Sequence, residues 1–165
     1  MRVRVARPEE YERIGELTAA VYAGSVSEGY LEQLRDVAGR AEWSVVIVAV
    51  DDGDEVLGGV AYVPVSGADG EAPATTPVVD ATEAGIRMLA VVPEARRQGA
   101  ATALVEECIA RARQGGRRRI VLYTKPSMTA AQRLYERLGF ARVPDRDYVV
   151  GTDVGLLGYV LELDR

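Results

Sequence analysis

Val91-Val92-Pro93-Glu94-Ala95-Arg96-Arg97-Gln98-Gly99-Ala100-Ala101-Thr102-Ala103-Leu104 is the stretch whose reading decides the fold. A largely apolar run, Ile86 to Val92, leads into it and reads as a buried strand. Pro93 stops that strand, and Arg96 to Ala101 form a turn rich in small residues. From Ala101 the apolar spacing turns helical, with Ala101, Leu104, Val105, Cys108, Ile109 and Ala112 on one face. The order is strand, tight turn, helix. The first turn of a helix carries unpaired N–H groups and partial positive charge, so such a turn can hold a phosphate or pyrophosphate. Gly99 lets backbone approach an anion closely, Ala101 lacks bulk that would block it, and Arg96 and Arg97 add positive charge.

Outward from this stretch, composition bounds the answer. At 165 residues the chain reads as one domain, with enough hydrophobic sequence (48%) for a substantial core. The net charge of −5 argues against nucleic acid as a partner and for cationic ones. No 18-residue apolar stretch predicts a membrane span, and no apolar signal region follows Met1. A single cysteine excludes an internal disulfide and fits the cytoplasm; its helical position makes Cys108 a core residue. The chain has no histidine. That excludes Ser-His-Asp and Cys-His mechanisms and any His-ligated metal, and no metal site is expected.

Taken in order, Arg2 to Ala6 reads as a strand. Pro8, Glu9 and Glu10 favour a helix start, and Tyr11, Ile14, Leu17, Thr18, Val21 and Tyr22 give a helical stripe that Gly24 breaks. Ser27 suits the cap of a second helix, Glu28 to Val37. Trp43 to Val50 is a strand, Asp51-Asp52-Gly53-Asp54 a hairpin turn, and Val56 to Val63 the antiparallel return. Ser66 to Thr82 reads as a loop bearing Asp69, Glu71 and Asp80: either a solvated connection or an acidic rim at a substrate entrance. After the helix that ends at Gly115-Gly116, Arg117-Arg118-Arg119 is a solvated cluster. Ile120 to Thr124 is a strand, Thr129 to Leu138 a helix, and Phe140 to Val143, Tyr148 to Val150 and Leu156 to Leu163 are strands. Strands of both senses with helices between them predict α/β with one mixed sheet.

Arg96-x-x-Gly99-x-Ala101 resembles the (Gln/Arg)-x-x-Gly-x-(Gly/Ala) signature with which the GNAT acetyltransferases cradle the pyrophosphate of acetyl-CoA. Met88-Leu89-Ala90-Val91-x-Pro93 looks like that family's fourth strand, and Ala131-x-x-Leu134-Tyr135-x-x-Leu138-Gly139-Phe140 like its second coenzyme motif. The resemblance covers Val45 to Leu163 clearly and the chain before that more loosely. It implies a GNAT-like domain over residues 1–165, a mostly antiparallel sheet flanked by helices. Two parallel strands, Ile86–Val92 and Ile120–Thr124, would splay to form the coenzyme cleft. The pantetheine arm would then lie on the main chain of Leu89, Ala90 and Val91, and the pyrophosphate on the amides of Arg97, Gln98, Gly99, Ala100 and Ala101, with the charge of Arg96 beside it.

By the same resemblance Tyr135 would protonate the leaving thiolate. Where many relatives place a catalytic Glu, this chain has Gly85; Glu83, two residues earlier on the same side, is the candidate base, directly or through water. Met128 stands where many relatives carry a coenzyme-contacting Asn, so that contact moves to Ser127 or Thr129 or is absent. The implied activity is N-acetyl transfer from acetyl-CoA to a primary amine. The acidic loop and Glu83 favour a small cationic acceptor. A protein or peptide N-terminal acetyltransferase and a non-catalytic acyl-CoA binding module are the alternatives. The expected partners are a small-molecule amine, with neither nucleic acid nor membrane, and a homodimer is compatible with this.

Overall fold

In the computed structural model, residues 1–64, 82–150 and 154–163 are described. The strands are β1 (Arg2–Val5), β2 (Val45–Val50), β3 (Val56–Val63), β4 (Glu83–Val91), β5 (Arg119–Thr124), β6 (Ala141–Arg142), β7 (Tyr148–Val150) and β8 (Val154–Glu162). The helices are α1 (Tyr11–Tyr22), α2 (Glu28–Arg35), the single turn α3 (Val37–Arg40), α4 (Ala100–Gln114) and α5 (Thr129–Arg137). The Ser66–Thr82 loop lies outside the described residues except for Thr82, as do residues 151–153 between the last two expected strands.

Local chemistry accounts for most of the boundaries. The Ser27 side chain accepts from the Tyr30 amide and caps α2. Asp36 ends that helix two residues before the expected Val37 and caps α3 instead, accepting from the Gly39 amide. In the β2–β3 hairpin, Asp51 Oδ1 accepts from the amides of both Gly53 and Glu55 at 2.9 Å. The left-handed residue there is Asp54 rather than Gly53.

The sheet runs β1-β2-β3-β4-β5-β8-β6, with β7 paired to the start of β8. Among the described residues the pairs are antiparallel except β4–β5. The mixed, mostly antiparallel sheet flanked by helices is therefore the architecture found. Burial sorts its two faces. On one, Leu104, Val105, Cys108 and Ile109 of α4 and Leu134 and Tyr135 of α5 pack on Ile47, Val60, Ile86 and Leu122. On the other, Ile14 and Leu17 of α1 pack on Val46, Val48, Val50 and Ala90. Cys108 is fully buried, and burial pushes its thiol pKa up, as a core cysteine requires. The buried stripe of α4 starts at Ala100, one residue before the expected Ala101, which is half-buried.

β4 departs from a regular strand in its middle. Its register with β3 runs Ala61 to Arg87 and then Gly59 to Ala90, so Val60 faces both Met88 and Leu89. This is a β-bulge, and Met88 adopts φ +59 in it. The bulge shifts the side-chain alternation by one, which puts Ala90 with α1 and lets Val91 pack with α4. Met88 joins Ala19, Leu31 and Leu34 under α1 and α2.

α1 and α2 approach each other closely at Gly15, where an added Cβ would lie 2.7 Å from the Arg35 carbonyl oxygen. Gly15→Ala gains helix propensity of up to about 1 kcal/mol but incurs overpacking of about 1–3 kcal/mol. The expected net result is a lower urea midpoint with an unchanged slope. A raised midpoint would show that α2 moves away freely.

Candidate active site

The site begins where β4 and β5 part. Their parallel register runs Glu83–Arg119, Ala84–Ile120, Gly85–Val121 and Ile86–Leu122, and stops there. Beyond it β4 continues to Val91 and β5 to Thr124, the latter held by β8 through Thr124–Leu157. From Arg87 onward β4 has no β5 neighbour among the described residues, so one edge of its backbone faces a gap.

The gap leads to the turn quoted above. Pro93–Gln98 winds as a 3-10 segment, and Gly99, at φ +81, swings the chain into α4. Arg96, Arg97 and Gln98 are exposed on this turn, whereas Ala100 is buried beneath it. Gly99 caps α4 without a side chain, and its carbonyl accepts from the Ala103 amide at 2.9 Å. The amides of Ala100, Ala101 and Thr102 precede that first helical bond, which leaves a helix N-terminus suited to an anion. A Cβ at Gly99 would meet nothing within 4 Å, so its glycine is required by the positive φ rather than by crowding.

Tyr135 enters from α5. Its side chain is 6% exposed, and its ring tilts against Phe140 at 5.8 Å and Tyr159 at 6.2 Å between centroids. Burial pushes its phenol pKa far up, and Tyr22 lies within electrostatic reach. The Tyr22 hydroxyl donates to the Leu89 carbonyl at 3.3 Å, on the segment that lines the gap. Burial raises its pKa as well. The sequence reading gave Tyr22 only a place in the apolar stripe of α1. Its signal was faint: a tyrosine at the end of a helix, two residues before the Gly24 break.

Glu83 has surroundings that differ from those of a free base. It is 3% exposed at the start of β4. Arg146 Nη1 and Nη2 donate to its two oxygens at 2.7 and 2.9 Å, and Arg119 Nη1 approaches at 3.4 Å. The Glu83 carboxylate raises the Arg146 pKa. Arg119 also pairs with Glu162 at 3.1 Å, so one member of the arginine triplet is tied to the sheet instead of solvated. Arg117 likewise donates to the Pro64 carbonyl at 2.8 Å. The strand end is an ion-pair network, and a carboxylate held in this way is poorly placed to accept a proton from an amine.

Among the described residues no group of three or more His, Cys, Asp or Glu side chains is placed to hold a metal ion. None of the described helices is long and apolar enough to cross a membrane.

The acetyltransferase (GNAT) family model matches residues 11–140. N-alpha-acetyltransferase 30 of Schizosaccharomyces pombe is 44% identical over 70 residues, a match spanning 41% of this chain and 47% of that protein. The chain therefore matches about half the length of this curated relative. Two solved structures share the fold at low identity. The ribosomal-protein-alanine N-acetyltransferase of Brucella melitensis superposes with a TM-score of 0.74 at 19% identity, over 99% of this chain and 100% of that one. The yncA protein of Salmonella typhimurium, solved with its cofactor acetyl-CoA, gives 0.67 at 21% identity, over 100% and 95%.

The two roles open to Glu83 separate in one variant. Glu83→Gln keeps the shape but removes the charge shared by Arg146 and Arg119. The arginines are partly exposed, so the expected loss is about 1.5–3 kcal/mol of stability. Chemical denaturation measures it, beside kcat at a temperature where the variant stays folded. A large fall in kcat with unchanged stability would restore Glu83 as the base.

Proposed function

This chain belongs to the acetyltransferase (GNAT) family, and on that premise we propose that it transfers acetyl from acetyl-CoA to a primary amine in the gap between β4 and β5. One observation carries the reading: the parted parallel strands lead directly to a helix N-terminus with no side-chain cap. A coenzyme with an amide-containing arm and a pyrophosphate needs this pair of features side by side. The arm pairs with the open backbone edge from Leu89 to Val91. The pyrophosphate sits on the amides of Gly99, Ala100 and Ala101, with Arg96, Arg97 and Gln98 around it.

In the transfer, the neutral amine attacks the thioester carbonyl; a C–N bond forms, the C–S bond breaks, and the thiolate leaves. Main-chain N–H at Leu89–Ala90, aimed by the Met88 bulge, stabilises the oxyanion. The Tyr22 hydroxyl on the Leu89 carbonyl fixes that peptide's orientation. Tyr135 stays protonated at any working pH because burial raises its pKa, and it gives its proton to the leaving sulfur. Water takes the amine's proton, since Glu83 is engaged by two arginines.

A small molecule is the acceptor favoured here. A protein N-terminus is the second reading, supported by the 70-residue match to N-alpha-acetyltransferase 30. The cationic acceptor loses one of its supports, because Glu83 is spent on Arg146 and Arg119. The acidic loop that supplied another lies outside the described residues, which leaves the net charge of −5.

A thiol-release assay with acetyl-CoA and a panel of amines tests the reading, and two variants sharpen it. Gly99→Val forces a β-branched residue into φ +81, a strain of about 1–3 kcal/mol that distorts the turn into α4. Calorimetry on the folded variant should show coenzyme A affinity lower by about tenfold or more; wild-type affinity would refute the pyrophosphate assignment. Tyr135→Phe should lower kcat and kcat/KM together by about 10- to 100-fold, with coenzyme affinity and Tm unchanged. Unchanged kcat at saturating amine would remove Tyr135 from the mechanism.

A further inference from the structure

The sheet face under α1 and α2 holds two arginines that the transfer chemistry does not use. Arg87, just before the bulge, is half-buried; its Cζ lies 5.4 Å from the centroid of the Trp43 ring, and Nη2 donates to the Tyr30 hydroxyl at 3.4 Å. Arg40, in α3, is 4% exposed, and Nη1 donates to the carbonyls of Leu34 at 2.8 Å and Gln33 at 3.4 Å. Among the described residues neither guanidinium has a carboxylate within ion-pair distance. Asp36 is the acid within electrostatic reach of Arg40, and its Oδ1 is occupied by the Gly39 amide at 3.0 Å.

Two guanidiniums within electrostatic reach of each other and ion-paired to no carboxylate are unfavourable unless an anion approaches them. Burial, with the charge of Arg87 adding to it, pushes the Arg40 pKa down to about 10, which leaves Arg40 charged at neutral pH. Both also lie within electrostatic reach of Tyr22, the residue whose hydroxyl bonds the Leu89 carbonyl at 3.3 Å. Arg87 and Leu89 are two residues apart on β4, with only the bulge residue Met88 between them. The positive charge therefore adjoins the gap on the face where α1 and α2 meet β4.

We propose that Arg87, backed by Arg40, receives a carboxylate of the acceptor, so that the amine acetylated belongs to an anionic, amino-acid-like molecule. The Trp43 ring and the Tyr30 hydroxyl hold the Arg87 guanidinium in place. Its remaining N–H groups make no hydrogen bond to the described residues and form the fork that binds a carboxylate in bidentate fashion. A neutral or cationic amine would bring no negative charge to balance the two guanidiniums, which disfavours it. This inference rests on the acetyl-transfer reading and narrows its acceptor.

The test compares free amino acids with their own carboxamides, which present the same amine without the negative charge. A third arm uses short peptides that begin with Asp or Glu and separates a free amino acid from an acidic peptide as the source of the carboxylate. The expected wild-type preference for acid over amide in kcat/KM is about 10- to 100-fold. In Arg87→Gln the ratio should fall to about one through a higher KM for the acid, and Arg87→Lys should keep part of it. A merely structural Arg87 would instead lower Tm and leave the ratio intact. Amides used as well as acids by the wild type, a ratio unchanged in Arg87→Gln, or no acetylation of any acid would each overturn the proposal. If Arg87→Gln does not fold, the wild-type ratio and Arg87→Lys still decide. Calorimetry with coenzyme A separates this failure from failure of the transfer reading: coenzyme bound and amides acetylated discards only the carboxylate, whereas no coenzyme binding discards the transfer itself.

Discussion

Parallel strands share hydrogen bonds only while their backbones stay about 4.8 Å apart. β4 and β5 keep that spacing for four residue pairs, Glu83–Arg119 to Ile86–Leu122, and then separate. A backbone edge opened in this way is costly in a buried sheet, because its N–H and C=O groups lose their partners. The cost is tolerable where a ligand supplies the missing bonds. The rest of the architecture follows from holding the strands apart at one end and together at the other. β5 remains paired to β8 along its whole length, and β4 remains paired to β3, so each strand diverges with its own neighbour.

Ion pairs fasten the closed end. The Glu83 carboxylate joins β4 to Arg119 of β5 and to Arg146 of the segment that covers β8. Gly158 permits that cover, since a Cβ there would lie 2.9 Å from Arg146 Cβ. A buried carboxylate with guanidiniums on both oxygens is held by geometry as much as by charge. The same residue thus ties the two strands at the end where they stay paired.

The bulge at Met88 sets what faces the open end. Without it, regular alternation would put Arg87, Leu89 and Val91 on one face. With it, Arg87 and Ala90 lie toward α1 and α2, while Val91 joins the α4 core. Arg87, just before the bulge, keeps the α1–α2 side that alternation from Ile86 gives it, and the bulge re-aims the main chain after it at the gap. Met88 in the left-handed region is the strained residue, and burial against Ala19, Leu31 and Leu34 is what holds it there.

The sequence by itself determined the elements and their order. The strand, the Pro93 stop, the Gly99 turn and the apolar stripe of α4 are local signals, as are the Ser27 cap and the Asp51 hairpin turn. Each depends on residues a few positions apart, so one chain segment suffices to specify it. Cys108 was legible as core for the same reason. Tertiary structure alone decided the rest, because the partners are remote along the chain. Glu83 meets Arg146 across 63 residues, Arg87 meets Tyr30 across 57, and Tyr22 meets the Leu89 carbonyl across 67. The bulge was also illegible: it uses Met88, with no glycine to mark it, and only the register with β3 and the packing beneath α2 impose it. Spacing along a strand put Glu83 on the side of Gly85, but which charges waited there was a property of the folded sheet.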